Sequence, residues 1–299
     1  MKYVSPWNNG AGTLTFQYPI KKAKQFPNGS TVTFTYHRAK IFYGWLFKSK
    51  QDKKVIKCTC YDQLRYFTAK NSILREIEPL DGFLKKVCAS IQERISLGQI
   101  DSTEVNLGKY LFDNKTHLDM LYQSIQDNLL LNGYLYTLRD NFGALELRDT
   151  LDLRLPLVIG DRSLATEYDY TKSIDDDTYN YIKVAKDDKE AATRNTYIAE
   201  DSTNISKWGK LMLYEKVDAN LNYSQLVERA NRLLALKNRE TETTTIECIG
   251  DTRVFGGSGA QVKIKDAGID AWAVVTNATH TFKKDSHTMK LDVQFGRWY

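Results

Sequence analysis

The chain is poor in the residues that usually staple a fold or seed a small reactive centre. Its 299 residues include four cysteines, four histidines, four methionines and five prolines. No CxxC pair and no Cys/His cluster at metal-ligand spacing occurs, which removes zinc-ribbon and dithiol redox chemistry. Cys58 and Cys60 are two apart in a strand-like segment, so they share a face about 6.5 Å apart, an awkward separation for a disulfide. Cys88 falls on a helical apolar stripe and Cys248 on a strand, and all four are expected to be reduced thiols, mostly buried. No apolar run reaches about 18 residues, so no membrane-spanning helix is expected. The opening Met1-Lys2-Tyr3-Val4-Ser5-Pro6 lacks the apolar core of a secretion signal, and the expectation is a chain made and kept in the cytosol until a later event releases it.

Acid is scarce at the start. Residues 1–57 hold eleven Lys or Arg against the single acid Asp52, whereas residues 149–201 hold thirteen Asp or Glu against seven Lys or Arg, within a net charge of +5. Two readings follow: solvated strand faces, or unlike patches that meet between subunits or line a passage for nucleic acid.

What is abundant is β-forming. Eighteen tyrosines, with Phe and Thr, favour half-buried strands. Alternation predicts strands at Thr13–Phe16, Val32–Tyr36, Ile41–Phe47 and Val55–Tyr61, with a turn at Pro27-Asn28-Gly29. Leu80, Phe83, Leu84, Val87, Cys88, Ile91 and Ile95 predict a helix ending near Gly98. A second helix is predicted from Thr116, with Asp119 completing its cap, to Gly133. A hairpin turning at Asp140-Asn141-Phe142-Gly143 follows. Further on, the hairpin Tyr181–Val184 and Thr196–Ala199 has its polar tip at 187–192. A helix capped by Asn222 and Gln225 then carries Leu226, Val227, Ala230, Leu233 and Leu234. The last strands are Thr244–Cys248, Arg253–Ile264 broken by Gly256-Gly257-Ser258-Gly259, Trp272–Phe282 and Met289–Phe295.

The expected fold class is α+β, mainly β: two small antiparallel β-barrel domains, an α+β insert between them and a helical insertion in the second. The first barrel takes 1–65 and the middle domain 66–167. The second, discontinuous barrel takes 168–203 and 240–299, with the insertion at 204–239.

Candidate chemistry is thin. Asp175, Asp176 and Asp177 could ligate a hard cation, but the alternating ligands, Gly and distal Glu of an EF-hand are missing, so a solvated turn is expected. Gly256–Gly259 lacks the Lys-Ser or Lys-Thr and the helix of a phosphate loop, so a bulge or hairpin turn is expected. A four-residue loop would pair Phe282 with His287 and His280 with Met289, putting both imidazoles on one face without a third metal ligand. No Ser-His-Asp or Cys-His signature stands out. No catalytic, cofactor-binding or metal residue is assigned, no cofactor is expected, and the chain is read as non-enzymatic.

The ordered set Tyr61-Asp62-Gln63-Leu64-Arg65-Tyr66, Ser173-Ile174-Asp175-Asp176-Asp177-Thr178-Tyr179-Asn180, Lys207-Trp208-Gly209-Lys210-Leu211, Asn238-Arg239-Glu240-Thr241, Thr279-His280-Thr281-Phe282 and His287-Thr288-Met289 resembles the XkdQ/YqbQ-like baseplate hub proteins. Those belong to contractile phage tails, defective prophages and phage-tail-like bacteriocins, and are related in fold to late control gene D proteins. The resemblance runs from about Thr13 to Phe295. It implies a structural homotrimer whose six β units form a pseudo-sixfold ring between the hexameric tail tube protein and the trimeric central spike protein. It also implies a LysM-type tail or baseplate neighbour, a lumen through which DNA could pass, and location in a virion or bacteriocin baseplate after synthesis in the bacterial cytoplasm. Relatives of this kind begin with a further strand, whereas here Met1 stands just before Gly10–Phe16, so closure of the first barrel would fall to a neighbouring chain or the unit would be shorter. Two readings from other classes stand beside it: a tail-tip cell-wall hydrolase or peptidoglycan-binding module, and nucleic-acid binding by the basic N-terminal region, ranked last for want of an aromatic-basic stacking motif.

Overall fold

The computed structural model of the protein describes residues 1–20, 26–160, 164–188, 193–217 and 221–296. The chain opens with strands β1 (Lys2–Pro6), β2 (Thr13–Pro19), β3 (Thr31–Tyr36), β4 (Ala39–Gln51) and β5 (Val55–Tyr61), then a 3-10 turn at Gln63–Thr68. The middle contains β6 (Lys70–Arg75), β7 (Glu78–Pro79), α1 (Leu80–Ile91), β8 (Leu97–Ile100), β9 (Asn106–Leu107), β10 (Tyr110–Thr116), α2 (His117–Asn132), β11 (Tyr136–Asn141) and β12 (Ala144–Asp149). There follow β13 (Arg154–Gly160), β14 (Ala165–Ser173), β15 (Tyr181–Asp188), β16 (Thr193–Glu200), α3 (Ser202–Trp208), β17 (Met212–Lys216) and α4 (Tyr223–Lys237). The end is β18 (Thr241–Ile249), β19 (Gly259–Ile264), β20 (Ile269–Phe282) and β21 (His287–Phe295).

Both capped helices form where their boundary chemistry puts them. Thr116 and Asp119 exchange the reciprocal bonds of a capping box, and Gly133 ends α2 in the left-handed conformation at φ 83°. Asn222 and Gln225 do the same for α4. The first long helix is shorter than its apolar spacing predicts. α1 stops at Ile91 because Gln92 turns to φ 65°. Ile95 still packs on the same core from a loop, and the residues after it form β8, which runs parallel to β12. An apolar side chain can therefore continue a helical spacing without helical backbone.

Eleven strands join into one sheet, with the path β14-β18-β21-β20-β1-β2-β5-β4-β3 and β19 and β13 branching from β20. The mainly β class is as expected, and the two β units expected as barrels share one hydrogen-bonded path. β1, which alternation did not reveal, pairs with β2 on one side and β20 on the other, so the N-terminal and C-terminal β units are continuous. Where completion by a neighbouring chain or a shorter unit was expected, this chain's own Lys2–Pro6 supplies an N-terminal strand beside β2. The order stays open at β3 and β14, although the sheet curls enough for Phe34 and Tyr36 to reach Phe282, with ring centroids 5.0 and 4.9 Å apart.

Two further differences concern pairing. The 181–200 hairpin was expected in the sheet of the strands after Glu240; it instead forms its own sheet, in the order β16-β15-β17. That sheet buries Ile182, Val184 and Ala199 against Leu226, Ala230 and Leu233 of α4. The helix needs an apolar face to cover, and this sheet supplies it. The hairpin tip at 189–192 lies outside the described residues. The strand expected over Arg253–Ile264 begins only at Gly259, because Asp251–Ser258 fold into turns.

Separate cores fill the N-terminal β unit, the middle region, the α4 sheet and the C-terminal strands. The N-terminal, middle and C-terminal cores meet where β1, β2, the 3-10 turn, the β11–β12 hairpin and the 251–258 turns converge.

Candidate functional site

That convergence encloses a cavity of about 220 Å³, lined by Tyr3, Asp62, Arg139, Asp140, Val254 and His280 among others. Asp62 caps the 3-10 turn, its Oδ1 accepting from Leu64 N at 2.9 Å, while its Oδ2 accepts from Gly12 N at 2.7 Å. Asp140 Oδ1 accepts from Gly143 N at 2.9 Å within the β11–β12 turn, and its Oδ2 accepts from the Gln63 side chain. Phe142 and Gly143 take φ of 52° and 88°, the left-handed pair a two-residue hairpin needs.

The cavity perturbs its titratable groups. Burial, then the nearby Asp140 carboxyl, raises Asp62 well above the ordinary aspartate value. Burial pushes Asp140 up to about 6. Burial and the Asp62 carboxyl raise the Tyr3 phenol. A raised carboxyl in a cavity is a candidate proton donor. Here, however, all four carboxylate oxygens already accept a hydrogen bond from a segment they hold in place. The geometry assigns both acids to joining the β1–β2 loop, the 3-10 turn and the β11–β12 hairpin.

The two imidazoles meet on this wall. His280 pairs with Met289 and Phe282 with His287, the register expected from a four-residue loop. His280 Nε2 lies 2.9 Å from the Val254 carbonyl, which can only accept, so Nε2 carries the proton. Its Nδ1 then accepts from His287 Nε2 at 2.9 Å. Burial, followed by the neighbouring His287, lowers His280 to about 4, which keeps it neutral.

The other singled-out residues fall into structural settings. Asp177 pairs with Lys237, and Asp175 N donates to Ser173 Oγ at 3.0 Å, making the triple-Asp stretch a tied turn. No group of three His, Cys, Asp or Glu side chains able to hold a metal ion exists among the described residues. Gly256 N donates to Ser5 Oγ at 3.1 Å. A Cβ on Gly256 would stand 2.5 Å from the Pro6 carbonyl carbon, so this glycine lets the 255–258 turn lie against β1. All four cysteines are free and buried. No helix among the described residues is long and apolar enough to cross a membrane.

Sequence reasoning missed two groupings. One is the Asp62–Asp140 junction, for which the only local signal was Asp62 standing before a short turn. The other is an aromatic-basic cluster: Arg94 lies over Trp45 and Tyr66, at 5.4 and 5.8 Å, and Arg65 over Phe47 and Tyr61, at 5.5 and 5.9 Å. Both arginines follow the basic stretch 1–57 and stack on the protein's own rings. These rings also pack edge-on against one another, so the cluster ties the outer face of β4 and β5 to the residues that follow.

The molecule is a multi-sheet, mainly β scaffold whose buried polar groups serve its junctions. The chain belongs to the YQBQ-like family, whose family model matches residues 1–294. The phage-like element PBSX protein XkdQ of Bacillus subtilis (strain 168) is 28% identical over 271 residues, covering 89% of this chain and 81% of XkdQ. A tail protein from Neisseria meningitidis MC58 shares the fold with a TM-score of 0.71 at 15% identity, over 98% of this chain and 91% of that one. The E. coli c3393 protein, a type VI secretion component described as structurally similar to the T4 bacteriophage tail proteins gp27 and gp5, has a TM-score of 0.61 at 9% identity, over 100% of this chain and 73% of that one.

Proposed function

We propose that this protein is a structural, non-enzymatic baseplate hub of a contractile tail. The observation that carries the reading is family membership along nearly the whole chain, shared with a protein of a phage-like element. The fold, common to solved tail proteins over more than nine-tenths of both chains, supports it. In the finer form of the proposal, three copies form a ring in which the two ends of the eleven-strand sheet act as two β units. Three subunits then present six units to the tube protein above and a threefold face to the central spike below. A LysM-type neighbour, passage of DNA through the lumen, and residence in a virion or headless bacteriocin particle belong to the same proposal.

A tail-tip hydrolase or peptidoglycan-binding module finds no favouring observation. At the cavity, each oxygen of the buried, perturbed Asp62 and Asp140 carboxyls accepts a structural hydrogen bond.

Mass photometry of the purified chain, alone and mixed with its tail tube protein, tests the reading. The expected result is a trimer that binds tube protein. A monomer at high concentration that binds neither tube nor spike protein would overturn it.

A further inference from the structure

The register of the large sheet sorts its exposed charges. On the face away from the N-terminal core, Lys48 pairs with Thr59 and Lys50 stands directly opposite Lys57. Thr59 and Lys57 continue to Thr15 and Gln17 of β2, and Thr15 continues to Lys2 of β1. Lys2, Lys48, Lys50 and Lys57 are exposed. The positions of β1 to β5 that share this face include no acid. Asp52, in the β4–β5 turn, spends its Oδ1 on Lys54 N and Val55 N, both at 2.8 Å.

Followed across β1, β20 and β21, the same face reaches an acidic end. Lys2 pairs with Thr281 and Val4 with Thr279. Thr279 pairs with Lys290 and Asn277 with Asp292. Lys290 pairs with Glu247, and Glu247 stands directly opposite Glu167 of β14, next to Asp169. Glu167, Asp169 and Glu247 are exposed. One lysine, Lys290, stands among four acids, Glu167, Asp169, Glu247 and Asp292. Among the described residues none of Lys2, Lys48, Lys50, Lys57, Glu167, Asp169, Glu247 or Lys290 forms an ion pair.

Like charges directly opposite each other destabilise a sheet. This sheet has one such pair of each sign, Lys50 with Lys57 towards the β3 edge and Glu167 with Glu247 at the β14 edge. Within the subunit Asp52 acts on Lys50 and Lys57, and Lys290 stands directly opposite Glu247, so each like-charge pair is offset by one opposite charge and each end keeps a net excess of its own sign. The geometry points to a second copy of this chain as the partner: the cationic end of one copy seats against the anionic end of the next, a head-to-tail contact of the kind that closes rings. A polyanion could match the excess of lysines alone, but it leaves the acidic excess at the other end unmatched. A second copy matches both. This inference rests on the hub reading and names the contact that would join its subunits.

The test compares self-association of the intact chain with Lys50→Glu/Lys57→Glu, Glu167→Lys/Glu247→Lys and the fourfold variant, by analytical ultracentrifugation at low and high salt. All four positions are surface-exposed, and circular dichroism checks that each variant folds. Each double variant should associate about tenfold more weakly or worse, the fourfold variant should recover most of that loss, and wild-type association should weaken with salt. A fourfold variant as weak as the doubles, or doubles that associate like wild type, would overturn the contact while leaving the hub reading standing. A wild-type chain that never self-associates removes the contact, and one that also binds neither tube nor spike protein removes the hub reading as well. Binding of a 30-base-pair DNA duplex is measured in parallel. Duplex binding lost in the lysine variant with self-association unchanged would make the basic end a polyanion face and refute the pairing of copies.

Discussion

His280 is neutral in the folded chain because its imidazole is held between a carbonyl and a second imidazole with no room for another proton. Its value near 4 lies below the ordinary 6.5, so the unfolded chain binds the extra proton first as pH falls. The contribution of this residue is complete above pH 6.5 and is lost as pH falls towards 4, by up to about 3 kcal/mol. Asp140 acts in the opposite sense: raised from 3.8 to about 6, it favours the folded state on the acid side of that window. Urea unfolding at pH 7 and pH 4.5 separates them, since His280→Asn should lose less stability on acidification than wild type, by about 2 kcal/mol. Equal losses would contradict the account. At Gly256, substitution by Ala should cost about 1–3 kcal/mol, because the added carbon meets the Pro6 backbone and not a movable side chain; thermal unfolding measures it. The facing of His280 and His287 was legible, since the register of a short hairpin is local arithmetic. The meeting of Asp62 with Asp140 was not, because long-range sheet and turn packing brings together residues whose spacing carries no period.

At the scale of elements, caps and turns were the most legible features, because their chemistry lies within four residues. Thr116→Ala should therefore lower stability by about 1 kcal/mol, seen as a shift in the denaturation midpoint with an unchanged slope. Strand partners were less legible. Nothing in the alternation of Tyr181–Val184 says that its sheet is closed by β17 and covered by α4, or that Lys2–Pro6 bridges two distant strand sets. Element docking also depends on charge. Asp127 of α2 accepts from Arg75 of β6 at 2.9 Å and from Arg229 of α4 at 3.1 Å, and Arg229 continues to Glu215 of β17 at 2.6 Å. Asp127→Ala leaves the buried Arg75 short of its counter-ion and should cost about 3–5 kcal/mol. Equilibrium unfolding checks this, and a loss under about 1 kcal/mol would show the network to be dispensable.

For the whole molecule, the decisive feature is a sheet that runs unbroken through both β units and ends in two open edge strands, β3, which carries no charged residue, and β14, which carries Glu167 and Asp169. Such edges are a hazard for a solitary protein and a resource for one that assembles. The mainly β class and the interruption of the β strands by helices were legible from changes of period along the chain. The fusion of the two units was not, since it depends on a five-residue strand with no alternation of its own. The assembly reading gathers these observations into one claim about copy number and place. A cryo-electron microscopy map of the assembled tail end tests it most directly. The account predicts three copies of this chain in a single ring between the last tube ring and the spike, each presenting both ends of its sheet to neighbouring copies. A single copy there, or density for this chain only at the periphery of the baseplate, would contradict it.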